Sequence, residues 1–167
     1  MRMLALIIMI FTICSCRGNL EAGYNEKMAK LFHNCREKLD ESYGKLLEGD
    51  YDVNQSDYLY HMKLNEARAL SSYIKGIKCE ASQLKYSKTA ESFHIATVDY
   101  MTAIVDGYGV LLIEYIVEQK EETRKSLLEE ITVEKEKIAA LAEACLGHQM
   151  AYLNQAGIKV DSQTGKQ

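Results

Sequence analysis

Tyr24 to Leu46 reads YNEKMAKLFHNCREKLDESYGKL, and its apolar residues Tyr24, Met28, Leu31, Cys35, Leu39, Tyr43 and Leu46 recur every three or four positions. That spacing keeps them on one face of a 3.6-residue helix, so the stretch predicts an amphipathic α-helix burying a stripe. Downstream, Gly49, Asp50, Asp52 and Asn54 supply turn and N-cap chemistry. A second stripe then begins near Ser56 with Tyr58, Met62, Ala69 or Leu70, Tyr73, Ile77, Ala81 and Leu84, interrupted only by the polar Glu66. Ser87 or Thr89 is placed to cap a third helix from about Lys88, whose stripe is Ala90, Phe93, Met101, Ile104, Tyr108, Leu111 and Tyr115. Gly107 and Gly109 sit inside it, each costing about 1 kcal/mol relative to Ala. The apolar run Val110 to Val117 favours continuation, with the next break at Gln119 to Thr123. A fourth helix from Thr123 carries Leu127, Ile131, Ile138, Leu141, Cys145 and Tyr152 on one face and ends near Gly157.

Four such segments joined by short turns predict an all-α fold, an antiparallel up-down four-helix bundle over residues 24–157, followed by a flexible polar tail at 158–167. The alternative joins Val110 to Ala156 in one very long helix after a turn at Gly107 to Gly109. The total absence of proline agrees with long uninterrupted helix, where a proline removes a hydrogen bond and clashes with the preceding turn. The chain has 167 residues, a length that favours one domain and excludes a multidomain enzyme.

Upstream of the first helix lies MRMLALIIMIFTICSC, one basic residue followed by the apolar stretch Leu4 to Ile13, which reads as a signal peptide over residues 1–15. These ten residues, apolar except for Thr12, span about 15 Å of helix, half the hydrocarbon thickness of a bilayer. Arg2 is the only charge in that leader, so the mature chain carries 19 basic against 24 acidic residues, a net of −5. Such a balance disfavours a nucleic-acid partner. Cys16 to Gly23, with Arg17, Gly18, Asn19 and Gly23, reads as a short polar tether.

No residue set carries a catalytic signature. His-Glu-x-x-His, Cys-x-x-Cys, Gly-x-Ser-x-Gly and a Gly-rich phosphate loop are all missing from the sequence. Glu91 and His94 form one Glu-x-x-His, whereas di-iron bundles use that spacing twice, so neither a metal site nor any other cofactor is expected. Of five cysteines, Cys14 leaves with the leader. Cys79 and Cys145 then match in depth to about 3 Å along antiparallel helices and form the candidate disulfide, with all three of Cys35, Cys79 and Cys145 as plain buried hydrophobes the alternative. Eleven tyrosines, seven of them at stripe positions, either end the core in amphipathic rims or line a groove for a partner.

Ile13-Cys14-Ser15-Cys16 resembles the lipobox of bacterial lipoproteins, an aliphatic residue, a free position, a small residue and then the cysteine that is lipidated. Carried over, Cys16 is the lipidation site, and its acyl chains make the membrane the first partner. The mature chain also resembles small helical lipoproteins of bacterial envelopes, in particular a family whose mature ends read Cys, a short polar spacer and Tyr-Asn, as Cys16 and Tyr24-Asn25 do here. The resemblance implies a location in the cell envelope, with the outer membrane preferred because Arg17, not Asp, follows Cys16. The expected function is a non-enzymatic, membrane-anchored lipoprotein presenting a helical bundle to a protein partner. The alternative is a secreted or periplasmic carrier of an apolar ligand in the bundle core; a secretory route would also make Asn54-Gln55-Ser56 a glycosylation sequon in a eukaryote.

Overall fold

The computed structural model describes Arg2–Leu47 and Asp57–Ile158, with side chains from Leu20 onward except at residues 43–45, 47 and 57. The described residues are helical almost throughout and contain no strand. Four helices succeed one another: α1 (Arg2–Leu47), α2 (Asp57–Gln83), α3 (Lys88–Val117) and α4 (Glu121–Gln155). Apart from the start of α1, which lies at Arg2 and not near Tyr24, their boundaries lie within a few residues of those the stripes predict, and α3 does continue through Gly107 and Gly109 instead of breaking there.

Local chemistry accounts for the ends. Ser87 is extended (φ −84°, ψ 163°), and its hydroxyl accepts a bond from the Ala90 amide, opening α3 with a single 3-10 turn. At the α3–α4 turn, the Glu118 carboxylate accepts from the amides of Gln119 and Lys120, both at 2.8 Å, just before α4 starts. α4 closes on Gly157 at φ +69°, with Ile158 N–H donating to the Leu153 carbonyl and Gly157 N–H to that of Asn154. This is the left-handed glycine cap that satisfies two terminal carbonyls at once.

The core gathers Tyr24, Met28, Leu31, Phe32, Cys35 and Leu46 of α1 with Leu64, Ala67, Leu70, Ile74, Ile77 and Ala81 of α2. α3 packs against each of the other three helices and contributes Phe93, Tyr100, Met101, Ile104, Tyr108, Leu112 and Ile116. From α4 come Ile131, Ile138, Ala142, Cys145, Tyr152 and Leu153, while Leu141, on the predicted stripe, is only half-buried. Among the described residues α3 alone is long and apolar enough to cross a membrane, and that apolarity is what a helix touching three neighbours needs.

Three departures from the expected pattern have physical causes. In α2 the inward face is Leu64, Ala67, Leu70 and Ile74, which leaves Tyr58, Met62 and Tyr73 exposed. The inward face is rotated by about one position at Tyr58, Met62 and Tyr73, with the interruption at Glu66 as its sign, while Leu70, Ile77 and Ala81 of the expected stripe are buried. In α3, Ala103–Tyr108 forms a π-turn. A π-turn accommodates one extra residue within an α-helix. Past it, Leu112 and Ile116 therefore point inward in place of Leu111 and Tyr115. Gly107 lies where α4 approaches, since a Cβ there would run into the Glu134 carboxylate, and the Lys78–Asp106 ion pair at 3.1 Å ties the same turn to α2. Finally, the segment 16–23 read as a tether is part of α1, and Glu21 within it is buried at 8% exposure. The packed body thus begins before Tyr24. The rest of the predicted tail, 159–167, lies outside the described residues.

Candidate functional site

The densest polar arrangement lies where α1 meets the α2–α3 turn and the last turns of α4. Tyr152 donates its hydroxyl hydrogen to Glu21, whose carboxylate oxygen and backbone carbonyl stand 2.8 and 2.7 Å away. The Ser87 hydroxyl donates to the same carboxylate oxygen at 3.1 Å. One turn along α1, the Tyr24 hydroxyl is 3.2 Å from His94 Nδ1, and Tyr86 stacks on the His94 ring with centroids 4.0 Å apart. Phe93 and Tyr152 stack at 5.9 Å, and Tyr24 meets both edge-on. Gln149 donates to Asn25 at 3.0 Å beside them.

Burial sets the electrostatics of this group. It holds the phenols of Tyr24 and Tyr152 well above the usual tyrosine range, in Tyr152 with the added effect of the bond to Glu21. It pushes His94 down, so the imidazole is favoured in its neutral form, with Nδ1 engaged by the Tyr24 hydroxyl. The arrangement therefore fixes one carboxylate between two hydroxyl donors and one neutral imidazole between two rings. Its evident work is to lock α1 to the α2–α3 turn and to α4.

The residues singled out in the sequence fall in several places. Cys16 lies on α1, with its side chain outside the described ones. Cys79 and Cys145 are not brought together. Cys79 is exposed, its Sγ 3.3 Å from Gln83 Nε2, whereas Cys145 is buried with Sγ 3.1 Å from Thr97 Oγ1, and both are free thiols, as is Cys35. Two residues past the inward Ile77 is a rotation of about 200°, which aims Cys79 away from the core. Burial pushes the Cys35 thiol up to about 12 and that of Cys145 up as well, keeping both protonated. Glu91 is exposed while His94 is buried, and among the described residues no three His, Cys, Asp or Glu side chains are grouped to hold a metal.

Two surface features escaped the sequence reading. An open groove of about 370 Å³ runs between α1 and α4, with Arg36, Asp40, Lys135 and Ile138 on its walls and Tyr100 beneath. On α2, Tyr58, Met62, Ala69 and Tyr73 form an exposed row on one helical face, and Gly76 continues it with open space where a Cβ would be. The apolar spacing places Tyr58, Met62 and Tyr73 on a buried stripe, and the structure turns them to solvent.

No family model, curated protein or solved structure matches the chain. What the site can do follows from its own geometry.

Proposed function

We propose that the protein is a membrane-anchored envelope lipoprotein, lipidated at Cys16, whose helices form an up-down bundle presented for contact with another protein. The observation that carries this reading is the apolar leader Leu4 to Ile13 closing on Ile13-Cys14-Ser15-Cys16. The helical order rests on contacts at two ends: Glu21 with Ser87 and Tyr152 at one, and at the other the Lys63 ammonium donating to the Leu46 carbonyl at 3.3 Å while feeling the charge of Arg124. Contact with a protein is supported by the exposed row Tyr58, Met62, Ala69 and Tyr73. Tyrosine and methionine at an exposed, wide helical face are the residue types that interfaces favour.

The intact mass of the mature protein, measured together with its partition between membrane and soluble fractions, tests the reading. A mass equal to residues 16–167 plus acyl chains, with recovery in the membrane, is expected. Cys16→Ala should leave the chain unprocessed and without incorporated fatty acid. Incorporation of label into Cys16→Ala, or a wild-type mass with no lipid, refutes the anchor.

A further inference from the structure

Among the described residues, nothing covers the outward face of α2. Tyr58, Met62, Asn65, Ala69, Ser72 and Gly76 follow one another at alternating steps of four and three, and all of them are exposed. The same spacing runs on to the exposed free thiol of Cys79, about 32 Å along the helix from Tyr58. Alternation of four and three is the seam of a two-stranded coiled coil, into which a second helix packs knobs into holes. No charged residue falls on this seam. Gly76 lies about 200° round the helix from the buried Ile74, so the seam faces away from the core, and open space stands where a Cβ on Gly76 would be.

Every charge on α2 has a place relative to the seam. Lys63 is buried with its ammonium on the Leu46 carbonyl, Lys78 is paired with Asp106 of α3, and Asp57, the first residue of the helix, falls on neither edge. The edge preceding Met62, Ala69 and Gly76 holds His61, Arg68 and Lys75. The edge following Asn65, Ser72 and Cys79 holds Glu66, Tyr73 and Glu80. Glu66 is engaged by Lys38 of α1 at 3.7 Å. Arg68, Lys75 and Glu80 make no ion pair among the described residues, nor does Lys27, three turns before Lys38 on that face of α1. These unspent charges select both a partner and its direction. When α2 of a second copy runs parallel, each edge meets the opposite edge one heptad on, so Lys75 meets the partner's Glu80 and Arg68 meets the partner's Tyr73 ring, twice over by symmetry. An antiparallel copy sets the basic edge against itself and the acidic edge against itself. The anchor favours the same direction: Glu21 of α1 meets Ser87 just past the end of α2 and Leu46 meets Lys63 near its start, so parallel α2 helices bring both Cys16 ends to one side.

We infer that this seam is the interface of a homodimer, two copies of the chain joined through parallel α2 helices. The inference rests on the proposed reading of that face as a protein-contact surface, and names its partner as a second copy. Asn65, Ala69, Ser72 and Gly76 let the two helices approach closely while burying little apolar area, so the pair is reversible. Parallel packing stacks identical positions, which sets Cys79 opposite the partner's Cys79.

Two full-length copies carrying different epitope tags are expressed together, and membrane and soluble fractions are each treated with a bismaleimide spanning less than one helix diameter, about 10 Å. A crosslinked species with the mass of two chains and both tags is expected, and Cys79→Ser should abolish it. Lys75→Glu should lower its yield several-fold by setting two carboxylates together, and adding Glu80→Lys should restore it, because the exchange opposes unlike charges again. Absence of the doubly tagged species from the wild type, persistence in Cys79→Ser, a yield indifferent to Lys75→Glu, or no recovery in the exchanged pair overturns the inference. A crosslink from one copy to a different protein also overturns it, while keeping the face as a contact surface. The fraction that holds the protein reports separately on the anchor: a wholly soluble protein refutes lipidation at Cys16, and the doubly tagged species is still read there.

Discussion

Tyr152→Phe removes one hydroxyl and leaves everything else in place. The ring is 2% exposed, stacks on Phe93 and meets Tyr24 edge-on, and a phenylalanine keeps each of those contacts. What goes is the donor at 2.8 Å from the Glu21 carboxylate, leaving Ser87 to serve a carboxylate that is largely out of water. A hydrogen bond to a charged group contributes about 1.5–3 kcal/mol, so a loss of about 2 kcal/mol is expected. In a chain of this size that lowers Tm by roughly 4–8 °C. Urea unfolding followed by circular dichroism at 222 nm reads it as a shift in midpoint at constant slope. Pairing the change with Glu21→Met gives the decisive cycle. Removing both partners leaves no orphaned carboxylate, so the double variant should lose clearly less than the sum of the two single ones. A Tyr152→Phe cost below about 0.5 kcal/mol, or strict additivity in the cycle, would falsify the assignment of this contact as the lock between α1 and α4.

Other outcomes follow from the same structure. Native protein should take up one maleimide on Cys79, and Cys35 and Cys145 should react only after unfolding; a non-reduced, denatured sample with fewer than three free thiols among these contradicts the structure. His94 is held below its ordinary 6.5 by burial against Tyr24 and Tyr86. The unfolded chain therefore binds the proton first, and stability should fall as pH drops below about 6.5 until His94 itself protonates. His94→Gln should flatten that part of the pH profile, and an unchanged slope would assign it elsewhere. Ile131→Asp should unfold the protein, because a carboxylate at a 1% exposed position is stripped of its water, while Leu141→Asp, half in water, should cost far less. Loss of the 222 nm signal in the second and not the first would place the core on the wrong face of α4.

How much of this was legible in the residues depends on whether the information was local. Helix number and most ends were, because Ser87, Gly157 and the apolar spacing act on their immediate neighbours, whereas nothing local marked α1 as starting before Tyr24. The face of α2 was not, since Tyr58, Met62 and Tyr73 on one side compete with Leu64, Leu70 and Ile74 on another, and only packing against α1 and α3 decides between them. Cys79 failed for the same reason: depth along a helix can be counted, but rotation follows from which face is buried. The cluster around Glu21 was missed because its members come from four places in the chain, and a lone glutamate near a helix start carries no sign of the tyrosine that arrives 131 residues later.

The π-turn at Ala103–Tyr108 bears on which length changes the gene can absorb. A one-residue deletion in most of α3 would rotate all that follows by about 100° and carry Leu112 and Ile116 out of the core. Within Ala103–Tyr108 the same deletion only tightens a wide turn to the ordinary one, and the downstream residues keep their facing. That turn is thus the place where α3 tolerates a shorter reading, and a lineage that had lost one residue there while keeping a glycine against Glu134 would keep the same inward residues under a different numbering.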